Sequence, residues 1–157
     1  MGRKSWFVLF LAAAWLLVAC STGAADQGSS NSEAGKHAWS KVILDAEGCA
    51  MRINDVQTAD RYPSGCKNSA SDCLVMNEGK SILTVWLEVP ASCNVESLAE
   101  SLSRTQDIYL IAPNGEKAFR MITGVNNKQL VFGFPISNPD QIWQLAWGGN
   151  PPVDLSK

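Results

Sequence analysis

Ser81-Ile82-Leu83-Thr84-Val85-Trp86-Leu87-Glu88-Val89 is the stretch whose reading decides the fold. Side chains alternate across an extended chain, so Leu83, Val85, Leu87 and Val89 share one face while Ile82, Thr84, Trp86 and Glu88 share the other. A polar turn with a glycine, Asn77-Glu78-Gly79-Lys80, precedes it. The pattern predicts a long β-strand with one face given wholly to a core.

Working outward, the same period returns. Leu130, Phe132, Phe134 and Ile136 share a face, as do Trp143, Leu145 and Trp147 before Gly148-Gly149-Asn150-Pro151-Pro152 ends that strand. Residues 108–112 and 117–123 flank Pro113-Asn114-Gly115-Glu116, a hairpin signal because Asn-Gly tolerates positive φ. Upstream, residues 41–46 supply Val42, Ile43 and Leu44, and residues 50–58 alternate weakly through Met51, Ile53 and Val56. One short helix is predicted over 95–102, capped by Asn94, with Val95, Leu98 and Leu102 at i, i+3 and i+7. Seven such strands and one helix predict an all-β, immunoglobulin-like β-sandwich over residues 39–157.

The segment ahead of the sandwich has a different composition. Residues 21–38 are small and polar, without a large apolar side chain, and cannot offset their ordering entropy by burial. Such a coil spans about 23 Å on average and reads as a tether over residues 20–38. Before it, Arg3 and Lys4 lead into residues 6–19, which carry no charge. That run would be about 21 Å long as a helix, short of the roughly 20 residues a bilayer core requires. Residues 1–19 therefore read as a signal peptide. Leu17-Val18-Ala19-Cys20 resembles the bacterial lipobox. The resemblance implies diacylglycerol on the Cys20 thiol, cleavage before Cys20, and a protein lipid-anchored in the cell envelope, on the outer side of the cytoplasmic membrane or in the outer membrane. Two or more acyl chains, palmitate among them, would hold it stably where one would not.

The chain has five cysteines, an odd number for an exported protein. Lipid on Cys20 leaves Cys49, Cys66, Cys73 and Cys93, an even set that an oxidising compartment would join in one of three connectivities. If residues 50–57 and 81–89 pair antiparallel, Cys49 meets Cys93, and Cys66 and Cys73 both fall in the connection between them. That predicts Cys49–Cys93 and Cys66–Cys73.

The exported part resembles the telokin-like, immunoglobulin-fold domains of unknown function found in bacterial secreted lipoproteins. The resemblance covers residues 39–155 and rests on three stretches. They are Asn77 through Val89, Asn114-Gly115-Glu116, and Leu130-Val131-Phe132-Gly133-Phe134-Pro135. This chain departs from the group in its four further cysteines and in lacking an asparagine directly after Val89. The group implies no catalytic residues.

Several functions are excluded by what is missing. Removing the leader takes Arg3 and Lys4 and leaves 11 basic against 15 acidic side chains, a charge of −4, with the basic residues scattered. Nucleic-acid binding requires a clustered basic face, so no nucleic-acid partner is expected. Nucleophilic catalysis requires a positioned base, and the one histidine, His37, falls in the tether. No cysteine pair has the spacing of a zinc site, so neither metal nor cofactor is expected. The chain is expected not to be an enzyme; a hydrolase accessory or a weak carboxylate enzyme ranks last, with Glu88 the carboxylate in question. The leading expectation is a membrane-anchored, non-enzymatic binding module for a protein, glycan or envelope component. The alternative is a structural or stress-related envelope lipoprotein without a dedicated ligand. Trp86 with Ile82 and Glu88 marks a candidate binding face if that side of the strand meets solvent; if the strand is covered on both faces, the patch does not exist. Sequence alone sets no oligomeric state.

Overall fold

The computed structural model describes residues 37–67 and 72–156. A 3-10 turn, Ala38–Lys41, leads into β1 (Ile43–Ala46), β2 (Cys49–Ala59), β3 (Arg61–Tyr62), β4 (Leu74–Val75) and β5 (Ser81–Glu88). Then come helix α1 (Val95–Ser103), β6 (Ile108–Ile111), β7 (Lys117–Phe119), β8 (Ile122–Asn126), β9 (Gln129–Ile136), β10 (Gln144–Trp147) and β11 (Val153–Asp154). One sheet runs β1-β2-β5-β9-β8 and the other β11-β10-β6-β7, while β3 and β4 form a separate ribbon. The protein is an all-β sandwich with one short α-helix among the described residues.

The inward rows explain why this sequence closes this way. Val56, Val85 and Phe132 lie side by side across β2, β5 and β9, as do Ile53, Leu87 and Leu130. Leu110 and Leu145 pair across the facing sheet, and all of these side chains belong to one buried core. Ile53 and Val56 are three residues apart yet both point inward, which a period of two forbids. A β-bulge between Ile53 and Asp55 inserts the extra residue and restores the phase. The weak alternation of this strand is therefore a bulge.

Turns and cap follow local chemistry. Glu47 and Gly48 both have positive φ, at 55° and 76°, between the paired Ala46 and Cys49, as a tight two-residue hairpin demands. At α1, Asn94 Oδ1 accepts from the Ser97 amide at 2.9 Å, and Val95, Leu98 and Leu102 are buried as their spacing predicts. The disulfides join Cys49 to Cys93 and Cys66 to Cys73, the pairs that the strand pairing predicts.

Two expectations are corrected. The seven-strand count omits the β3–β4 ribbon and β11. Residues 117–123 also form not one strand but two, in different sheets, because the chain crosses over at Arg120 and Met121. The crossover is fixed on both sides: the Met121 amide donates to Gly133 O at 2.8 Å, and Arg120 bonds the end of α1.

Gly133 holds a close approach between β8 and β9. A Cβ there would lie 2.7 Å from Ile122 Cδ1 and 2.9 Å from Ile122 Cβ. Because Ile122 Cβ is fixed to the backbone, rotamer change alone cannot relieve the contact. Gly133→Ala is expected to destabilise the domain by about 1–3 kcal/mol through overpacking, and Ile122→Gly in the same chain, which removes the fixed Cβ, to recover part of that loss. Urea unfolding of the single and double variants checks this; an unchanged midpoint for Gly133→Ala would show that the strands part freely.

Candidate functional site

The face proposed around Trp86 is not the exposed patch that its sequence allows. Ile82 is 0% exposed, Thr84 6% and Val131 0%, although all three lie outside the core between the sheets. The reason is position, because β5 is the central strand of five. Ala59 and Pro135 flank Ile82, Gln57 and Gly133 flank Thr84, and Asp55 and Val131 flank Trp86. The Gln57 amide donates to Asp55 Oδ2 at 2.6 Å, tying two of these neighbours together. Trp86 is half-buried, and its indole N–H is shut off from solvent without a partner among the described residues. Glu88 is exposed at the strand end, between Arg52 and Gln129 on the neighbouring strands. The three residues do not form one accessible surface.

Trp143, Trp147, Phe132 and Phe134 are buried, as core residues should be. His37 stacks on Trp39, with ring centroids 4.9 Å apart and planes 9° from parallel. Trp39 is buried against the edge where β1 and β11 lie, so the chain enters the sandwich at that edge. Cys20 and its lipobox lie outside the described residues.

The opposite edge carries the candidate site. There the crossover between β7 and β8, the end of α1 and the start of β6 surround an open cleft of about 660 Å³. Ser103, Thr105, Gln106 and Thr123 contribute hydroxyl and amide groups, and Phe119 and Met121 contribute apolar surface. Phe119 is 58% exposed and Met121 46%, values that set them apart from the core aromatics and aliphatics. Phe119 also leans on Tyr109 of β6 at 5.9 Å between centroids, and Lys117 Nζ sits 4.8 Å above the Tyr109 ring.

Arg120 builds the cleft wall. Its Nη2 donates to Leu102 O in the last turn of α1 and to Thr105 O just beyond it, the latter at 2.6 Å. Its Cζ lies 5.1 Å from the centre of the Phe132 ring. Burial pushes the guanidinium below its ordinary pKa, but a group that starts so high stays charged at physiological pH. Arg120 is thus mainly a clamp between helix and crossover. Two hydroxyl protons are also committed: Ser103 Oγ donates to Glu100 O at 2.7 Å, and Thr105 Oγ1 to Leu102 O at 3.1 Å. Their oxygens remain acceptors.

Sequence reasoning missed this cleft, although one signal for it existed. In Lys117-Ala118-Phe119 the small residue faces inward, so the aromatic shares its face with a lysine. No histidine, cysteine or carboxylate appears among the described residues lining the cleft. Among the described residues, no cluster of three or more histidine, cysteine, aspartate or glutamate side chains could hold a metal ion. Also among them, no helix is long and apolar enough to cross a membrane.

No protein-family model matches the chain, and no curated protein matches it. Among solved structures the chain is similar to an uncharacterised β-sandwich protein from Clostridium difficile 630. The TM-score is 0.46 at 11% identity, over 73% of this chain and 90% of that one. The likeness transfers no residue and no role.

Proposed function

We propose that the protein is an extracytoplasmic lipoprotein, cut before Cys20 and anchored through it, whose sandwich is a non-enzymatic binding module. On this reading the sandwich is an immunoglobulin-like domain of the telokin-like kind, and its ligand enters the cleft beside Phe119. The single observation that carries the binding role is that cleft, where a large aromatic stands 58% exposed beside hydroxyl and amide side chains. The lining supports binding over catalysis, because a hydroxyl without a neighbouring base is a poor nucleophile. The two disulfides fit an oxidising compartment outside the cytoplasm. Entry of the chain at the β1/β11 edge puts the cleft across the five-stranded sheet, about 19 Å away at roughly 4.8 Å per strand. A tether from that edge leaves the cleft free of the membrane.

The test has two parts, both in intact cells. Palmitate is expected to label the wild-type protein and not Cys20→Ser. A photo-cross-linking residue replacing Met121 is expected to capture an envelope component, whereas the same group replacing Ile43, 56% exposed on the entry edge, captures none. Unlabelled wild-type protein would refute the anchor. Equal capture, or none, at both positions would refute the binding site.

A further inference from the structure

We infer that the cleft takes a neutral saccharide chain, with a sugar ring seated on Phe119. The inference rests on the binding-module reading above and adds the class of ligand. Three properties of the cleft lead to it, and each removes a competing class.

The first is charge. No carboxylate lines the cleft among the described residues, so a cationic ligand finds no partner there. Among the described lining residues the cation is Arg120, whose Nη2 protons are engaged by Leu102 O and Thr105 O. Its Nη1, without a partner among the described residues, is buried out of reach of a ligand in the cleft. Leu102 O also belongs to the negative end of the α1 dipole, which opposes an anion. A carboxylate or phosphate would meet acceptor oxygens at Ser103 and Thr105, whose protons already point at helix carbonyls. Acceptor facing acceptor is repulsive. A ligand rich in hydroxyl donors is the complement.

The second is the pairing of that polar wall with an exposed ring. A sugar ring has a hydroxyl rim and a face of C–H bonds, whose slight positive charge suits the negative face of an aromatic ring. Phe119 offers such a face and is braced by Tyr109, so little side-chain entropy is lost when a ring settles on it. Met121 adds an adaptable apolar contact beside it.

The third is shape. The cleft falls within the 300–1,000 Å³ range usual for small ligands, and its open side lets a chain continue past it. An extended peptide has less to hold. Two edge strands border the cleft: β7, only three residues long and carrying Lys117, is too short for strand addition, and β8 is packed against α1.

The experiment uses the purified full chain in detergent, titrated by calorimetry. The probes are chitotetraose, an N-acetylated aminosugar chain of the cell-wall kind, and maltotetraose, a plain hexose chain; tetraglutamate is the anionic control. Saturable binding of at least one saccharide with a Kd of about 1 mM or tighter is expected, and none of tetraglutamate. The saccharide that binds more tightly identifies the source. Phe119→Ala is expected to weaken binding by about tenfold or more, Phe119→Trp to retain it, and Gln106→Ala to weaken it. Both sites are exposed, so far-UV circular dichroism should be unchanged. Absence of binding by both saccharides, unaltered binding in folded Phe119→Ala, or tighter binding of tetraglutamate would each overturn the inference. Capture at Met121 without saccharide binding overturns the ligand class and leaves the binding module standing.

Discussion

Trp147→Ala is expected to lower the unfolding free energy by about 3–5 kcal/mol, the range for emptying a large aromatic site in a core. Trp147 is 4% exposed, and its ring centre lies 5.6 Å from that of Phe132 in the opposite sheet. Its indole N–H also donates to Asp45 O of β1 at 3.2 Å, a bond that crosses from one sheet to the other. The substitution opens a cavity and removes a hydrogen bond between layers that the core otherwise holds by shape alone. Whole domains hold about 5–15 kcal/mol, so a large fraction of the total is at stake. Trp147→Phe keeps most of the apolar volume and is expected to cost less, about 1–2 kcal/mol. Urea unfolding of both variants checks the order. A loss under about 1 kcal/mol for Trp147→Ala would mean that the two sheets are not joined through this residue.

The second large effect concerns Cys49–Cys93, which closes a loop with a sequence separation of 44. Replacing both cysteines by serine is expected to cost about 4 kcal/mol by the loop-entropy argument, against about 2.5 kcal/mol for Cys66 and Cys73. The latter pair has a sequence separation of only 7. Both members of a pair are replaced together so that no free thiol remains to exchange. Peptide mapping under non-oxidising and non-reducing conditions should recover each pair intact from the wild type. If the Cys66/Cys73 variant proves the less stable of the two, loop length does not govern the effect.

The legible part of the fold was periodic. Alternation at 83–89 and 130–136, the Asn94 cap and the Asn114-Gly115 turn all act within a few residues, and the structure follows them. The antiparallel pairing of β2 with β5 was enough to match the cysteines. What escaped depends on neighbours distant in sequence. Alternation tells which residues share a face with Trp86, but not that β5 is central and that Asp55, Gln57 and Pro135 crowd that face. Residues 117–123 read as continuous because nothing local marks Arg120 as the point of crossover. Its bonds to Leu102 and Thr105 exist only once α1 is packed. The cleft was invisible for the same reason, since its walls come from α1, β6, β7 and β8. Phe119 lay inside residues 117–123, which read only as one arm of a hairpin.

The Cys49–Cys93 bond has a mechanical consequence. A pull on the leading segment first loads β1, an outer strand that can peel from β2 one hydrogen-bonded pair at a time. Four pairs, ending at Ala46 with Cys49, and the Trp147 bond to Asp45 O hold it. Beyond them the load reaches a covalent stop, and Cys49 hands it to Cys93 ahead of the helix. Tension from that end can strip the outermost strand, but it must strain a sulfur–sulfur link before it unravels the layers behind.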